Sequence, residues 1–123
     1  IASGGEISRI MLSIKSILSS YIKLSTIIFD EIDTGISGSV SSKVADLMGQ
    51  MSKNMQVIVI THTPQVASKG DFHYKVFKKE VENKIITDIK LLEDKERVKE
   101  IAEMLSGDKS NKSANELANE LLN

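Results

Sequence analysis

The chain has 123 residues, of which 41% are hydrophobic and 27% are charged, and it has no cysteine. Its 16 Lys and Arg against 17 Asp and Glu give a net charge of -1, which offers no basic footprint for nucleic acid and no cationic face for membranes, although local patches can hide in a neutral sum. The lack of cysteine excludes disulfides and thiolate chemistry, and no apolar run approaches the roughly 20 residues of a membrane helix. This composition is typical of one soluble globular domain.

A long helical pattern opens the chain, from residue 7 to residue 21. Apolar residues recur there at spacings of three and four, which predicts an amphipathic helix of about five turns. Ser3 followed by Glu6 is a capping-box pattern at its start. Gly4 and Gly5 stand between them, and unpaired N–H groups at a helix start favour an anion that glycine allows to approach closely. The stretch is therefore either an ordinary cap or a phosphate-binding surface.

Two apolar runs with a helical pattern between them follow in the first half of the chain. The runs at 25–31 and 56–61 predict buried strands, and the pattern from Val40 to Met51 predicts a helix. The stretch "IDTGISGS" before that helix has two glycines and no period, which indicates a loop. Because this alternation is typical of parallel pairing, we predict a βαβ unit.

Polar side chains stand where the two predicted strands end. Asp30 and Glu31 follow the first apolar run, and Thr61 and His62 follow the second. If the strands are neighbours, these four residues converge at one edge of the sheet, where α/β proteins bind ligands. Asp30 suits Mg²⁺ as an oxygen ligand, Glu31 suits a group that orients or deprotonates water, and His62 suits a donor to a γ-phosphate oxygen. Each feature alone has a common structural explanation, but their order predicts a nucleotide site.

The second half has a different pattern. Alternating residues at 73–80 and 84–93 flank the turn-like "VENK" and predict an antiparallel hairpin. A helix follows at 98–105 and stops at Gly107, and a polar linker, "DKSNKS", leads to a last helix at 114–122.

Other polar residues admit two readings. Asp33 can approach Mg²⁺ or a partner, but an Asx-type cap of its own loop is the favoured prediction. Arg9 can reach a phosphate or form an ordinary salt bridge. Gln65, after Pro64, can help shape the loop that carries His62. Basic residues at 78–79 and 95–99 alternate with acids, which predicts a mixed solvated face rather than a DNA surface.

The order of these motifs resembles the second half of an ABC-type ATPase head. In such heads a signature motif, here Ser3 to Glu6, precedes a Walker B strand, here Ile27 to Glu31, and then a switch histidine, here His62. The string "DEID" is similar to SMC-like chromosome and repair proteins more than to transporters. The strings "ASGGEISRIMLSIK", "FDEIDTGISG", "VITHTPQVAS" and "RVKEIAEMLSG" resemble the RecN family, bacterial SMC-like proteins of DNA double-strand-break repair.

That resemblance implies an ATPase in which ATP is held between two heads. It implies that Asp30 serves Mg²⁺, Glu31 the attacking water and His62 the γ-phosphate. Ile36 and Ser37 fall where the family's D-loop crosses the dimer interface, with Ser37 in place of the aspartate of most ABC proteins. The signature residues that would contact the ATP of the other head are Ser3, Gly4, Gly5 and Glu6.

The resemblance also implies partners and a place in the cell. The expected partners are a second head in a homodimer, a missing amino-terminal lobe, an antiparallel coiled coil and DNA, with no membrane. The expected location is the cytoplasm, associated with the nucleoid.

A Walker A motif, G-x-x-x-x-G-K-[ST], is missing from the sequence. We therefore expect residues 1–123 to be the carboxyl-terminal lobe of a split α/β head, with parallel strands, flanking helices, a β-hairpin and carboxyl-terminal helices, that is inactive alone and belongs to a longer protein. Two alternatives stay open at this point. One is the head of a transporter or of another SMC-like protein, and the other is a non-enzymatic module for dimerisation or DNA docking.

Overall fold

A computed structural model describes residues 4–21, 24–107 and 111–123. The chain divides into two compact units, Ile1–Lys69 and Gly70–Asn123. Ser3 of the predicted capping box lies outside the described residues, and so does part of the predicted linker. None of the described helices has both the length and the hydropathy for crossing a membrane.

The first unit contains the predicted βαβ arrangement. Its elements in chain order are α1 (Gly4–Tyr21), β1 (Thr26–Asp30), α2 (Gly38–Met51), β2 (Gln56–Ile60) and α3 (Pro64–Ala67). The two strands pair in parallel, so that each residue of β1 lies opposite the residue 30 positions later in β2. The short α3 was not predicted. It begins at Pro64, whose fixed φ suits the first position of a helix.

The core of this unit lies on one side of the strand pair. Ile27 and Phe29 are buried, and they pack with the apolar face of α2 and with Leu12 of α1 and Val66 of α3. The predicted burial of β1 holds for only one of its faces among the described residues, because Ile28, between Ile27 and Phe29, is 58% exposed. A continuous apolar run cannot reveal one-sided burial, since it carries no alternation of polar residues.

The second unit contains the predicted hairpin and two helices. Its elements are β3 (Tyr74–Val81), β4 (Lys84–Leu91), α4 (Asp94–Ser106) and α5 (Lys112–Leu122). The strands are antiparallel, and the two turn residues, Glu82 and Asn83, have positive φ of 51° and 61°. That pair of angles matches the two-residue turn whose twist suits a hairpin.

Local signals set the ends of the two helices. A reciprocal capping box between Glu93 and Glu96 starts α4, and Gly107 ends it in a left-handed conformation with φ of 70°. Asn111 caps α5 by accepting a hydrogen bond of 2.8 Å from the Ala114 amide. The polar linker is therefore shorter than predicted, because its last two residues belong to α5.

Ion pairs join one face of the hairpin to α4. Lys75 pairs with Glu100 and Lys90 pairs with Glu96. The hydrogen bond from Lys75 to Glu100 raises the pKa of Lys75, although burial opposes the shift. Of the basic residues predicted to lie on a mixed charged face, Lys79 pairs with Asp88 and Lys99 pairs with Glu103.

His73 stands just before β3, half-buried against α4. Burial, reinforced by the charges of Arg97 and Lys75 and opposed by Glu100, lowers the pKa of His73 below its ordinary value of 6.5. Its Nδ1 is buried without a hydrogen-bond partner among the described residues. The neutral imidazole is therefore the form that the folded unit favours.

We predict that the second unit loses stability as the pH falls below 6.5, the ordinary pKa of the histidine. The unfolded chain binds a proton at His73 in this range while the folded unit resists it, so protonation favours unfolding. Urea denaturation at about pH 7.5 and about pH 5.5, followed by the methyl NMR signals of Ile101, measures the change.

A matched pair of histidine variants provides the control for this pH dependence. His73→Gln should reduce the difference between the two pH values, whereas His62→Gln, in the first unit, should leave it unchanged. An equal pH dependence in the parent chain and in His73→Gln would contradict the assignment.

Candidate functional site

The ends of β1 and β2 bring the predicted residues together. Asp30 lies opposite Ile60, and the amide of Glu31 donates a 2.9 Å hydrogen bond to the Ile60 carbonyl. His62 Nδ1 lies 4.0 Å from Glu31 Oε1, and both side chains are more than half exposed. The predicted convergence at one edge of the sheet is therefore confirmed, with Glu31 and His62 as near neighbours on an open surface.

The backbone at Glu31 is left-handed, with a φ of 45°. Residues other than glycine rarely adopt this backbone region, and those that do concentrate at functional sites. Here it ends β1 one residue earlier than predicted, because a left-handed residue cannot continue an extended strand. The chain turns at once: the Thr34 amide donates to the Glu31 carbonyl at 3.3 Å, and Gly35 follows with a φ of 72°.

Asp30, the last residue of β1, presents an exposed carboxylate. Mg²⁺ takes oxygen ligands, keeps several of its waters and is often held by one or two carboxylates together with substrate phosphates. No group of three or more His, Cys, Asp or Glu that could hold a metal occurs in the described part of the chain. The residues present therefore fit a hydrated ion held by one side chain rather than an enclosed protein cage.

Asp33 departs from its favoured prediction. It is only 1% exposed, and its Oδ2 accepts a hydrogen bond from the Thr61 hydroxyl on the other segment. Its Oδ1 is buried without a partner among the described residues, so the expected Asx-type cap of its own loop is wrong. The local loop pattern could not show a contact that the pairing of distant strands creates.

The Thr61 hydroxyl has further contacts. The Thr63 amide donates to it at 3.0 Å, and the two threonine hydroxyls are 2.9 Å apart. Sequence reasoning missed this cluster. The available signal was the threonine on each side of His62, in "THT", at the end of a strand next to β1.

The predicted D-loop residues differ in burial. Ile36 is partly buried against the core of the first unit, whereas Ser37 is exposed at the start of α2. The Ser37 hydroxyl makes no cap to that helix and lies 3.2 Å from the Ser39 hydroxyl. Gln65 lies beside this start, since a β-carbon added at Gly38 would stand 3.5 Å from its Nε2.

The predicted signature stretch coincides with the start of a helix. α1 begins at Gly4, so Gly4 and Gly5 stand in its first turn, as the sequence predicts. Glu6 is exposed and borders an open groove along α1 with Arg9, Ile10 and Ile14. The prediction that Ser3 adds a hydroxyl donor lies outside the described residues.

Curated proteins called DNA repair protein RecN match nearly the whole chain. The protein from Halalkalibacterium halodurans is 45% identical, that from Rickettsia conorii 48% and that from Deinococcus radiodurans 40%, each over 99% of the chain. The chain is RecN-like, as its motifs predict. It spans about a fifth of the length of these RecN relatives, at 22%, 22% and 21%.

Solved structures place the fold among SMC ATPase heads. An Smc head domain with a coiled coil and joint from Pyrococcus yayanosii has a TM-score of 0.69 at 21% identity, over 86% of the RecN-like chain and 19% of its own. A structure from work on ATP-driven dimerization and DNA-stimulated activation of SMC ATPases has a TM-score of 0.65 at 23% identity, over 85% and 62%. The predicted α/β fold class is confirmed. No family model matches the chain.

We predict that a side chain at position 31 lowers the stability of the fold. Glu31→Gly should be more stable than Glu31→Ala by about 1 kcal/mol, because only glycine adopts the left-handed region without steric cost. The matched control is Asp30, which is in the extended strand. There Asp30→Gly should be less stable than Asp30→Ala.

Thermal or urea unfolding of the four variants measures whether glycine or alanine gives the more stable protein at each of the two neighbouring positions. The same order of glycine and alanine at both positions would contradict the strained backbone at Glu31.

Proposed function

We propose that this chain is part of the ATP-binding and ATP-hydrolysing head of a RecN-like protein that acts in DNA double-strand-break repair and recombination. The observation that carries the proposal is the approach of His62 to Glu31 at the ends of two adjacent parallel strands, 4.0 Å apart and open to solvent. The RecN relatives supply the repair context, and the SMC heads supply the fold.

In this proposal each exposed group has a separate role in phosphoryl transfer. Glu31 accepts a hydrogen bond from the attacking water, orients it and takes its proton as the bond to the γ-phosphorus forms and the bond from that phosphorus to the bridging oxygen breaks, which releases ADP. His62 donates a hydrogen bond to a γ-phosphate oxygen and stabilises the charge that develops there. Asp30 would hold Mg²⁺, which when bound would neutralise phosphate charge. The short distance between Glu31 and His62 allows both to reach one γ-phosphate.

The proposal places ATP between two heads of a homodimer. In support, Ser37 is exposed and its hydroxyl is not used to cap α2, which leaves it at the surface for a partner. The α1 start at Gly4 and Gly5 offers backbone N–H groups and a favourable helix dipole to an anion, with Glu6 in the same first turn. Ser3, which precedes Gly4 in the sequence, belongs to the same proposed surface. Bound ATP then joins the heads and its hydrolysis releases them.

The remaining partners and the location belong to the same proposal. The rest of the RecN-like protein supplies the amino-terminal lobe with the Walker A motif and the coiled coil. DNA is the substrate on which the dimer acts, in the cytoplasm at the nucleoid.

We predict that Glu31→Gln in the full-length protein lowers ATP hydrolysis by about 10²-fold or more, because the amide cannot accept the proton of water. ATP binding should persist, so an ATP-bound dimer should accumulate. Steady-state phosphate release and size-exclusion chromatography with ATP measure the two effects. Glu120→Gln, an exposed glutamate of α5, is the matched control and should keep the parent rate. Parent-like hydrolysis by Glu31→Gln would overturn the role of Glu31.

We also predict that the 123-residue chain alone does not hydrolyse ATP, because it has no G-x-x-x-x-G-K-[ST] motif to hold the β- and γ-phosphates. The measurement is Mg²⁺-dependent phosphate release compared with the Glu31→Gln form of the same chain. Activity above that background would contradict the need for a second lobe.

A further inference from the structure

The segments that carry Glu31 and His62 are held together beyond the end of the sheet by side chains. The Glu31–Ile60 hydrogen bond is the last backbone bond between the two segments among the described residues. Past it, the Thr61 hydroxyl reaches across to Asp33, and Thr63 joins the same group. We propose that this Asp33–Thr61–Thr63 cluster is a positioning strut that sets the geometry of Glu31 and His62 for hydrolysis. The inference rests on the proposed function and deepens it.

The direction of each hydrogen bond in the strut follows from its donors. The Thr63 amide can only donate, so it occupies one lone pair of Thr61 Oγ1. The Thr61 hydroxyl donates its single proton to Asp33 Oδ2. The Thr63 hydroxyl must then donate to Thr61. The three residues thus form one chain of donors that ends on the buried carboxylate.

Burial of Asp33 makes this series of hydrogen bonds a stronger constraint than the Glu31–His62 contact that it supports. Asp33 is only 1% exposed, whereas the Glu31 and His62 side chains are 62% and 63% exposed. An exposed pair at 4.0 Å contributes little and does not fix its own geometry. Loss of a hydrogen bond to a buried polar group costs more, because it leaves that group unsatisfied. The strut, anchored on buried Asp33, rather than the exposed pair, therefore defines where His62 stands.

The spacing along the chain ties the strut to both exposed groups. Asp33 is two residues after Glu31, across the turn that begins with the left-handed backbone. Thr61 and Thr63 flank His62 directly. Asp33 Oδ1 has no partner among the described residues, so in that part of the chain Thr61 is the one donor to this carboxylate. Removal of the Thr61 hydroxyl should therefore release both segments at once.

The test compares three threonine variants in the full-length protein. Thr61→Val removes the hydroxyl at nearly constant volume and should lower kcat by about 10²-fold, the cost of misplacing a catalytic group by about 1 Å. The KM for ATP should stay the same, because a positioning role assigns the strut no contact of its own with the nucleotide. Thr61→Ser keeps the hydroxyl and should restore kcat. Thr87→Val, an exposed threonine of β4, is the control and should match the parent.

Specific results would overturn the strut. They are a parent-like kcat in Thr61→Val, an equal loss in Thr61→Ser, or a rise in KM in proportion to the fall in kcat. If Thr61→Val does not fold, Thr63→Val decides. It removes the hydroxyl donor to Thr61 but keeps the hydrogen bond from the Thr63 amide. A smaller fall in kcat at constant KM therefore supports the strut, and a parent-like kcat overturns it.

A second readout separates failure of the strut from failure of the proposed function. If the parent does not hydrolyse ATP, or Glu31→Gln hydrolyses it at the parent rate, the proposed function fails. The imidazole NMR signals of His62 in the nucleotide-free protein still test the strut. Thr61→Val should shift them and Thr61→Ser should not. Unchanged signals in Thr61→Val would overturn the strut by themselves.

Discussion

The parallel pairing of β1 with β2 is the constraint on which the rest of the candidate site depends. Because the strands are in register to their last residues, the polar residues that follow each strand meet at one edge. The core packs on one face of this pair, through Ile27 and Phe29. The pairing cannot slip by one residue without exposing that core, so apolar burial keeps the segments that carry Glu31 and His62 at the same edge.

Much of this arrangement could be predicted from the sequence, because it follows from local patterns and one rule of topology. Apolar periodicity gave the long helices and both strands, and the rule that parallel strands end at one edge predicted the meeting of Glu31 with His62. What could not be predicted depends on contacts between distant segments. The burial of Asp33 against Thr61 and the left-handed turn at Glu31 have no signature within their own short windows.

The second unit owes its form to a different set of interactions. Caps and left-handed residues, such as Asn111 and Gly107, set the limits of its helices, and ion pairs join α4 to one face of the hairpin. These are short-range signals, which explains why the sequence predicted its elements, although it placed the starts of α4 and α5 four and two residues too late. Its half-buried His73, whose pKa is lowered by burial, should add a sensitivity to pH that no sequence pattern revealed.

The one-sided burial of the strand pair has a consequence for handling this polypeptide. Ile28, Ile58 and Ile60 form an exposed aliphatic stripe on the face opposite the core, 42% to 58% exposed. Each strand pairs with only one neighbour among the described residues, so both also have an open backbone edge. Exposed aliphatic surface beside open edges favours association between copies. The solubility of the isolated chain should therefore be limited by association between folded copies rather than by unfolding. Charged substitutions on this stripe should raise that solubility.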